Sequence, residues 1–256
     1  MEVVHLYNAR AQAVVHPLRG GRLGSLTVNG TPVMVHTGDS ALDWGCYPMV
    51  PFAGRVRDGL LTFREASHSL PANDPSGLGH AIHGTVFDVE WTVVSATSTR
   101  IHMTHEFGAP WPWRGVVHHQ MELHDASLTC TLTVDAHDDM PLMIGWHPWF
   151  MRPVESVLPF QTMLERGADY LPTGNHVAAR TEHADDCFVD PQGPITLRYD
   201  NVTLTLHSDC SHWVVYSQPT HAICVEPQSG PPNEVNDAPH IVRAGASMQR
   251  EFTISW

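Results

Sequence analysis

The sequence predicts an all-β chain built as a large antiparallel β-sandwich, and three observations carry that expectation. Apolar residues alternate with polar ones at a period of two, turn-forming residues separate successive alternating runs, and no long stretch has the spacing of an amphipathic helix. Successive side chains of a strand point to opposite faces, so a period of two buries one face and leaves the other to solvent or to a second layer. The 20 Pro and 19 Gly interrupt the chain too often for long helices. Many short strands, without intervening helices or a fixed repeat, call for packed sheets of sequence neighbours joined by long loops. One domain over residues 1–256 is expected, since β-sandwiches commonly reach this length undivided.

Taken in chain order, the strongest strands come mid-sequence. Ile101, Met103, His105 and Phe107 share one face; so do Val117, His119, Met121 and Leu123, and then Leu128, Cys130, Leu132 and Val134. His124-Asp125-Ala126-Ser127 closes a hairpin between the last two runs, and Asp200-Asn201 closes another between ITLRY and VTLTLHS. The short apolar run Ile223-Cys224-Val225 is expected to form a strand that ends at Glu226, with a proline-rich loop beyond. Long connections between such strands are where chemistry is expected.

Composition removes several functional classes. The 14 Lys and Arg against 27 Asp and Glu give a net charge of −13, which repels nucleic acid and anionic membrane surfaces. With 42% hydrophobic residues and eight Trp, the chain has ample material for a core. Five cysteines form no CxxC pair, and the N-terminal stretch lacks a basic start and an uninterrupted apolar segment, so reduced thiols and a cytoplasmic location are expected.

Four segments break the strand pattern and gather ionisable groups: PFAGRVRDG (51–59), GHAIHGTVFDVEW (79–91), GWHPWF (145–150) and CVEPQSGPPNEVN (224–236), with EHADDCFVD (182–190) as a fifth. No metal site is expected. His80 and His83, three apart in extended chain, face opposite ways, and neither HExxH nor a thiol cluster is present. No GxSxG elbow marks a serine nucleophile. Glu226 and Asp185 could serve as a carboxylate pair for glycoside hydrolysis.

In this order, PFAGRVRDG, HAIHG, GWHPWF and VEPQSGPPNEVN resemble the aldose 1-epimerases, or galactose mutarotases, and their bacterial relatives. GGRLGSLTVNGTPVMV (20–35) looks like the family's opening strands, and the likeness spans residues 20–256. The resemblance implies the galactose mutarotase-like supersandwich. It also implies Glu226 and His147 as catalytic groups and Arg55, His83 and Asp185 as sugar-binding groups, with Asp186 the neighbouring alternative to Asp185. Three positions depart from the family's habit: Gly54 for Asn before the arginine, Trp149 for Tyr after His-Pro, and Asn233-Glu234 for Asp-Ala. They bear on the substrate pocket and leave the proposed catalytic groups intact. Taken singly, the same residues have plainer readings: a solvated acid at Glu226, ion-paired arginines at Arg55 and Arg57, buried histidines satisfied by backbone, and a turn aspartate.

The residue types suit anomer exchange. Opening a pyranose ring needs a base for the C1 hydroxyl proton and an acid for the ring oxygen, which a carboxylate and an imidazolium supply without any cofactor. Each is expected to hold the other in its charged form. Trp44, Trp146 and Trp149 are candidate platforms for the sugar face. The expected partner is a monosaccharide such as galactose or glucose, with monomer and homodimer both open. A hexose 6-phosphate epimerase, which needs a basic pocket, a glycosidase and a non-catalytic carbohydrate-binding protein are the alternatives.

Overall fold

A computed structural model describes residues 3–256, and its architecture is the nearly all-β one expected. Two large antiparallel sheets of 11 and eight strands dominate the described residues, with three two-stranded ladders beside them. The smaller sheet runs in the spatial order Thr92–Ala96, Arg100–Glu106, Gly115–Leu123, Ser127–Ala136, Ser247–Ser255, Thr203–Ser208, Ile195–Arg198 and Glu155–Val157. Its hairpins close where the sequence places them: Leu123 pairs with Leu128, and Arg198 with Thr203. Every residue assigned to the inner face of the two central strands is buried, from Val117 to Leu123 and from Leu128 to Val134.

The larger sheet positions the site. Its middle strands lie in the order Cys46–Met49, Gly145–Met151, Ala222–Gln228, His212–Tyr216, Asp185–Val189 and Thr162–Arg166. Alternation sends Trp146 and Trp213 to the face that meets the smaller sheet, where both rings approach Phe252, at 6.0 and 6.4 Å between centroids. His147, Trp149 and Glu226, of opposite parity to Trp146 and Val225, point to the other face. Three of these strands carry a proline, at Pro48, Pro148 and Pro227, positions that cannot donate to a ladder. All five cysteines are buried and unpaired. Among the described residues no helix is long and apolar enough to cross a membrane.

Candidate functional site

The site is a pocket of about 330 Å³ on the outer face of the larger sheet. Its floor is a set of side chains at alternate strand positions: Tyr47, His147 and Trp149, Glu226 and Gln228, Tyr216, and Asp185. A short ladder pairing Arg55 with Ile82 brings Arg55 and His83 over that floor. All five residues singled out in the sequence therefore line one cavity.

At its centre His147 Nε2 lies 3.3 Å from Glu226 Oε1, with side chains only 7% and 2% exposed. Strand pairing fixes this approach, because Gly145 pairs with Gln228 and Trp149 with Cys224 on either side of it, while Glu226 also pairs with Val214. Glu226 lies inside its strand rather than at the end, since the strand continues through Pro227 to Gln228. The imidazole of His147 is stacked between Tyr47 and Trp149, with centroids 4.8 and 5.4 Å away and planes 21° apart in each case. His83 meets His147 edge-on at 4.9 Å.

His83 adopts a left-handed backbone conformation, φ 62°, which a bulky residue rarely takes, and its N–H donates to Gly54 O at 3.0 Å. Gly54 has φ +66° and sits against Pro232, where a Cβ would come within 2.9 Å of the proline ring. Tight packing against Pro232 thus gives Gly54 a reason to differ from the family's Asn.

Burial sets the protonation of the central pair. Loss of hydration pushes the Glu226 carboxyl well above its ordinary range, with the nearby Asp185 charge adding to the shift and Gln228 and Arg55 opposing it. The same loss pulls His147 down to about 3 and His83 well below its ordinary value. Desolvation thus works against the mutual charging expected from the sequence, drawing the carboxyl and the imidazole each toward its neutral form.

The pocket wall holds a network that the sequence only half discloses. Arg55 Nε lies 3.1 Å from Asp74 Oδ2, and its Nη2 lies 3.8 Å from Asp185 Oδ2. Arg166 reaches Asp185 at 3.3 Å and Asp186 at 3.0 Å. Tyr170 lies between the two guanidinium groups, at 4.8 Å from that of Arg55 and 4.7 Å from that of Arg166. Asp185 therefore joins both arginines, whereas Asp186 serves one. Its own carboxyl is held above the usual range by burial, against the pull of Arg55 and Arg166.

Several sequence assignments find other places. Arg57 is exposed and pairs with Asp169, away from the floor. Trp146 is fully buried in the sandwich interior, and Trp44 covers the Arg22 guanidinium at 4.3 Å, so of the three tryptophans only Trp149 lines the pocket. His80 is structural: its Nδ1 accepts from Asp58 N–H at 3.0 Å and its Nε2 donates to Asp169 O at 2.9 Å. Tyr47, Asp74, Arg166, Tyr170, Tyr216 and Gln228 were not singled out from the sequence, although Gln228 lies inside the CVEPQSGPPNEVN segment. Only Gln228 was within reach of a sequence rule, being two residues from Glu226 on the same strand face. His147, Cys224 and Glu226 present ligand atoms within 4.8 Å of one another, but a metal there would require deprotonating a thiol and a carboxyl whose burial favours the neutral forms, so the set does not fit a metal ion.

The sequence model of the aldose 1-epimerase family matches residues 2–255. A protein of Escherichia coli K12 known as uncharacterized protein YphB is 30% identical over 116 residues, which is 43% of this chain and 38% of that protein. Among solved structures, a galactose mutarotase-like protein from Clostridium acetobutylicum superposes with a TM-score of 0.85 at 16% identity, over 98% of this chain and 94% of the other. The GalM/aldose epimerase homologue from C. elegans does so with a TM-score of 0.84 at 14% identity, covering 99% and 98% of the two chains. At such identities the superpositions establish a common fold.

Proposed function

The chain belongs to the aldose 1-epimerase family, and from that premise we propose that it interconverts the α and β anomers of a free aldose. The observation that carries the reading is the 3.3 Å approach of Glu226 to His147, both buried in the floor of one pocket. Ring opening moves one proton off the C1 hydroxyl and another onto the ring oxygen. Both oxygens are bonded to C1, so acid and base must be immediate neighbours, as this pair is. Glu226 takes the hydroxyl proton, His147 delivers to the ring oxygen, and after rotation about C1–C2 the roles reverse on closure. Burial draws both groups toward their neutral forms, and hydrogen bonds from the sugar hydroxyls to the carboxylate offset that cost, so that the one proton shared by the pair rests on His147 Nε2 when the sugar is bound. Arg55, His83 and Asp185 hold the ring and its hydroxyls in register, and Trp149 supplies a flat apolar face.

The charge arrangement favours a neutral sugar over a phosphorylated one. Arg55 is engaged by Asp74 and Asp185, and Arg166 by Asp185 and Asp186, so neither lining guanidinium faces the pocket without a carboxylate. A phosphate dianion would have to displace those carboxylates. Glu226 has an imidazole as its close partner, which suits two oxygens on one carbon better than the paired carboxyls of a glycosidase.

Polarimetry tests the reading. Freshly dissolved α-D-glucose and α-D-galactose should reach anomeric equilibrium faster with the protein than in buffer. Glu226→Gln should lose about 10²-fold or more of that acceleration, the usual contribution of one proton-transfer group. No acceleration with any free aldose, or faster turnover of a hexose 6-phosphate, would overturn the proposal.

A further inference from the structure

Gln228 is fully buried and stands two residues beyond Glu226 on the same face of the same strand. Its backbone is fixed on both sides, paired with Gly145 on one neighbouring strand and with His212 on the other. Its carboxamide Nε2 donates to Glu226 Oε2 at 3.3 Å, the carboxyl oxygen that does not face His147. Its Oε1 is buried without a hydrogen-bond partner although the residue lines the pocket. Buried acceptors of this kind are uncommon and call for an explanation.

We propose that Gln228 is a positioning residue that holds the rear oxygen of Glu226 in both of its protonation states, turning its carboxamide to donate to the carboxylate or to accept from the carboxylic acid. The inference rests on the reading of Glu226 as the group that both takes and returns a proton. A carboxylate can only accept hydrogen bonds at its oxygens, whereas a carboxylic acid has one O–H to donate. A lysine or arginine at position 228 would lock Glu226 in its charged form, and an apolar residue would leave the rear oxygen unserved. A carboxamide carries donors and an acceptor on one rotating plane, so it can follow the proton without large bias. The partnerless Oε1 is then the acceptor kept for the protonated state.

The titratable and charged groups around Glu226 are His147, Tyr47 and Cys46 on the strands to one side, Cys224 on its own strand, Asp185 and Cys187 on the other side, and Arg55 with His83 above. All of these remain in a Gln228 variant. Gln228→Met keeps length and volume and removes both hydrogen-bonding functions. Without the donor the ionised carboxylate is disfavoured, so the acid limb of the kcat/KM profile should move to higher pH by about one unit, a tenfold change in the ionisation constant. The ¹³C-carboxyl titration midpoint of Glu226 in the unliganded protein, assigned by its loss in Glu226→Gln, should move the same way. Coincident midpoints in native and Met proteins of equal thermal stability would overturn the proposal, leaving Gln228 a packing residue. Should the Met variant fail to fold, Gln228→Glu gives a second test. Two adjacent carboxyls competing for one proton should split the Glu226 titration and raise one midpoint, and an unchanged midpoint would equally overturn the idea. The carboxyl titration needs no turnover, so it judges Gln228 even if the native protein proves inactive on free aldoses, an outcome that counts against the proposed function instead.

Discussion

An aspartate between two arginines is a different chemical object from an aspartate beside one, and the wall of this pocket contains both. Asp185 Oδ2 lies 3.3 Å from Arg166 and 3.8 Å from Arg55, whereas Asp186 approaches only Arg166, at 3.0 Å. Removing the Asp185 charge therefore loosens both guanidinium groups and, in the role proposed for Asp185, withdraws a strong acceptor from the sugar hydroxyls. Hydrogen bonds to charged groups are worth about 1.5–3 kcal/mol, so Asp185→Asn should raise KM for the sugar roughly tenfold to a hundredfold with a smaller change in kcat. Asp186→Asn, which leaves Asp185 bridging both arginines, should stay within about threefold, because it removes a single ion pair and spares the Arg55 contact. Steady-state polarimetry of the two variants decides the assignment. The reverse ranking would move the sugar contact to Asp186. At this scale the sequence disclosed the residue types and not the choice between neighbours, because that choice depends on Arg166, whose segment carries no motif.

Among elements, parity along the strand Gly145–Met151 separates fold from function within a few residues. Trp146 faces the sandwich interior, His147 the pocket, and Trp149 returns to the pocket side. Trp146→Ala should lower the unfolding free energy by about 3–5 kcal/mol, the usual range for emptying a buried aromatic site. Trp149→Phe keeps an aromatic ring beside His147 but loses the indole donor to Leu42 O, now 2.7 Å away, and should act mainly through KM. Urea titration with polarimetry on the same samples tests this contrast, and a large KM effect in a still-folded Trp146 variant would contradict it. Period-two patterning disclosed five of the eight strands of the smaller sheet, because one of its faces is buried and the other polar. It failed for the heart of the larger sheet, where Cys46–Met49, Gly145–Met151 and Ala222–Gln228 are buried on both faces along nearly their whole length and carry prolines at Pro48, Pro148 and Pro227. The prolines from Pro227 onward read as a strand end, which is why Glu226 was expected at a terminus, whereas the chemistry was expected on loops because loops generally carry it. The structure places most of the floor on strands, and only Arg55 and His83 come from the connecting ladder.

At the scale of the whole molecule, the two sheets are pinned together by a histidine that has no part in the proposed chemistry, and that makes stability depend on pH. His119 is fully buried; its Nδ1 donates to Gly21 O at 3.0 Å, and its Nε2 accepts from the indole N–H of Trp146 at 3.3 Å. Only the neutral tautomer protonated at Nδ1 can make both bonds, since a proton on Nε2 would face the Trp146 donor. Burial accordingly pulls its pKa from 6.5 to about 4, with the Gly21 contact opposing. A depressed folded value means that the unfolded chain binds the extra proton first. The contribution of His119 is therefore complete above pH 6.5 and is lost as the pH falls toward 4. A shift of this size corresponds to roughly 3 kcal/mol. His147, pulled down to about 3 by its own burial, extends the loss to lower pH. His119→Gln offers a carboxamide able to donate toward Gly21 and accept from Trp146 without titrating. Its unfolding free energy, measured by urea denaturation across this interval, should fall less steeply with acidification than that of the native chain. Parallel curves for the two proteins would show that the acid sensitivity of the fold lies elsewhere than in the Gly21–His119–Trp146 contact.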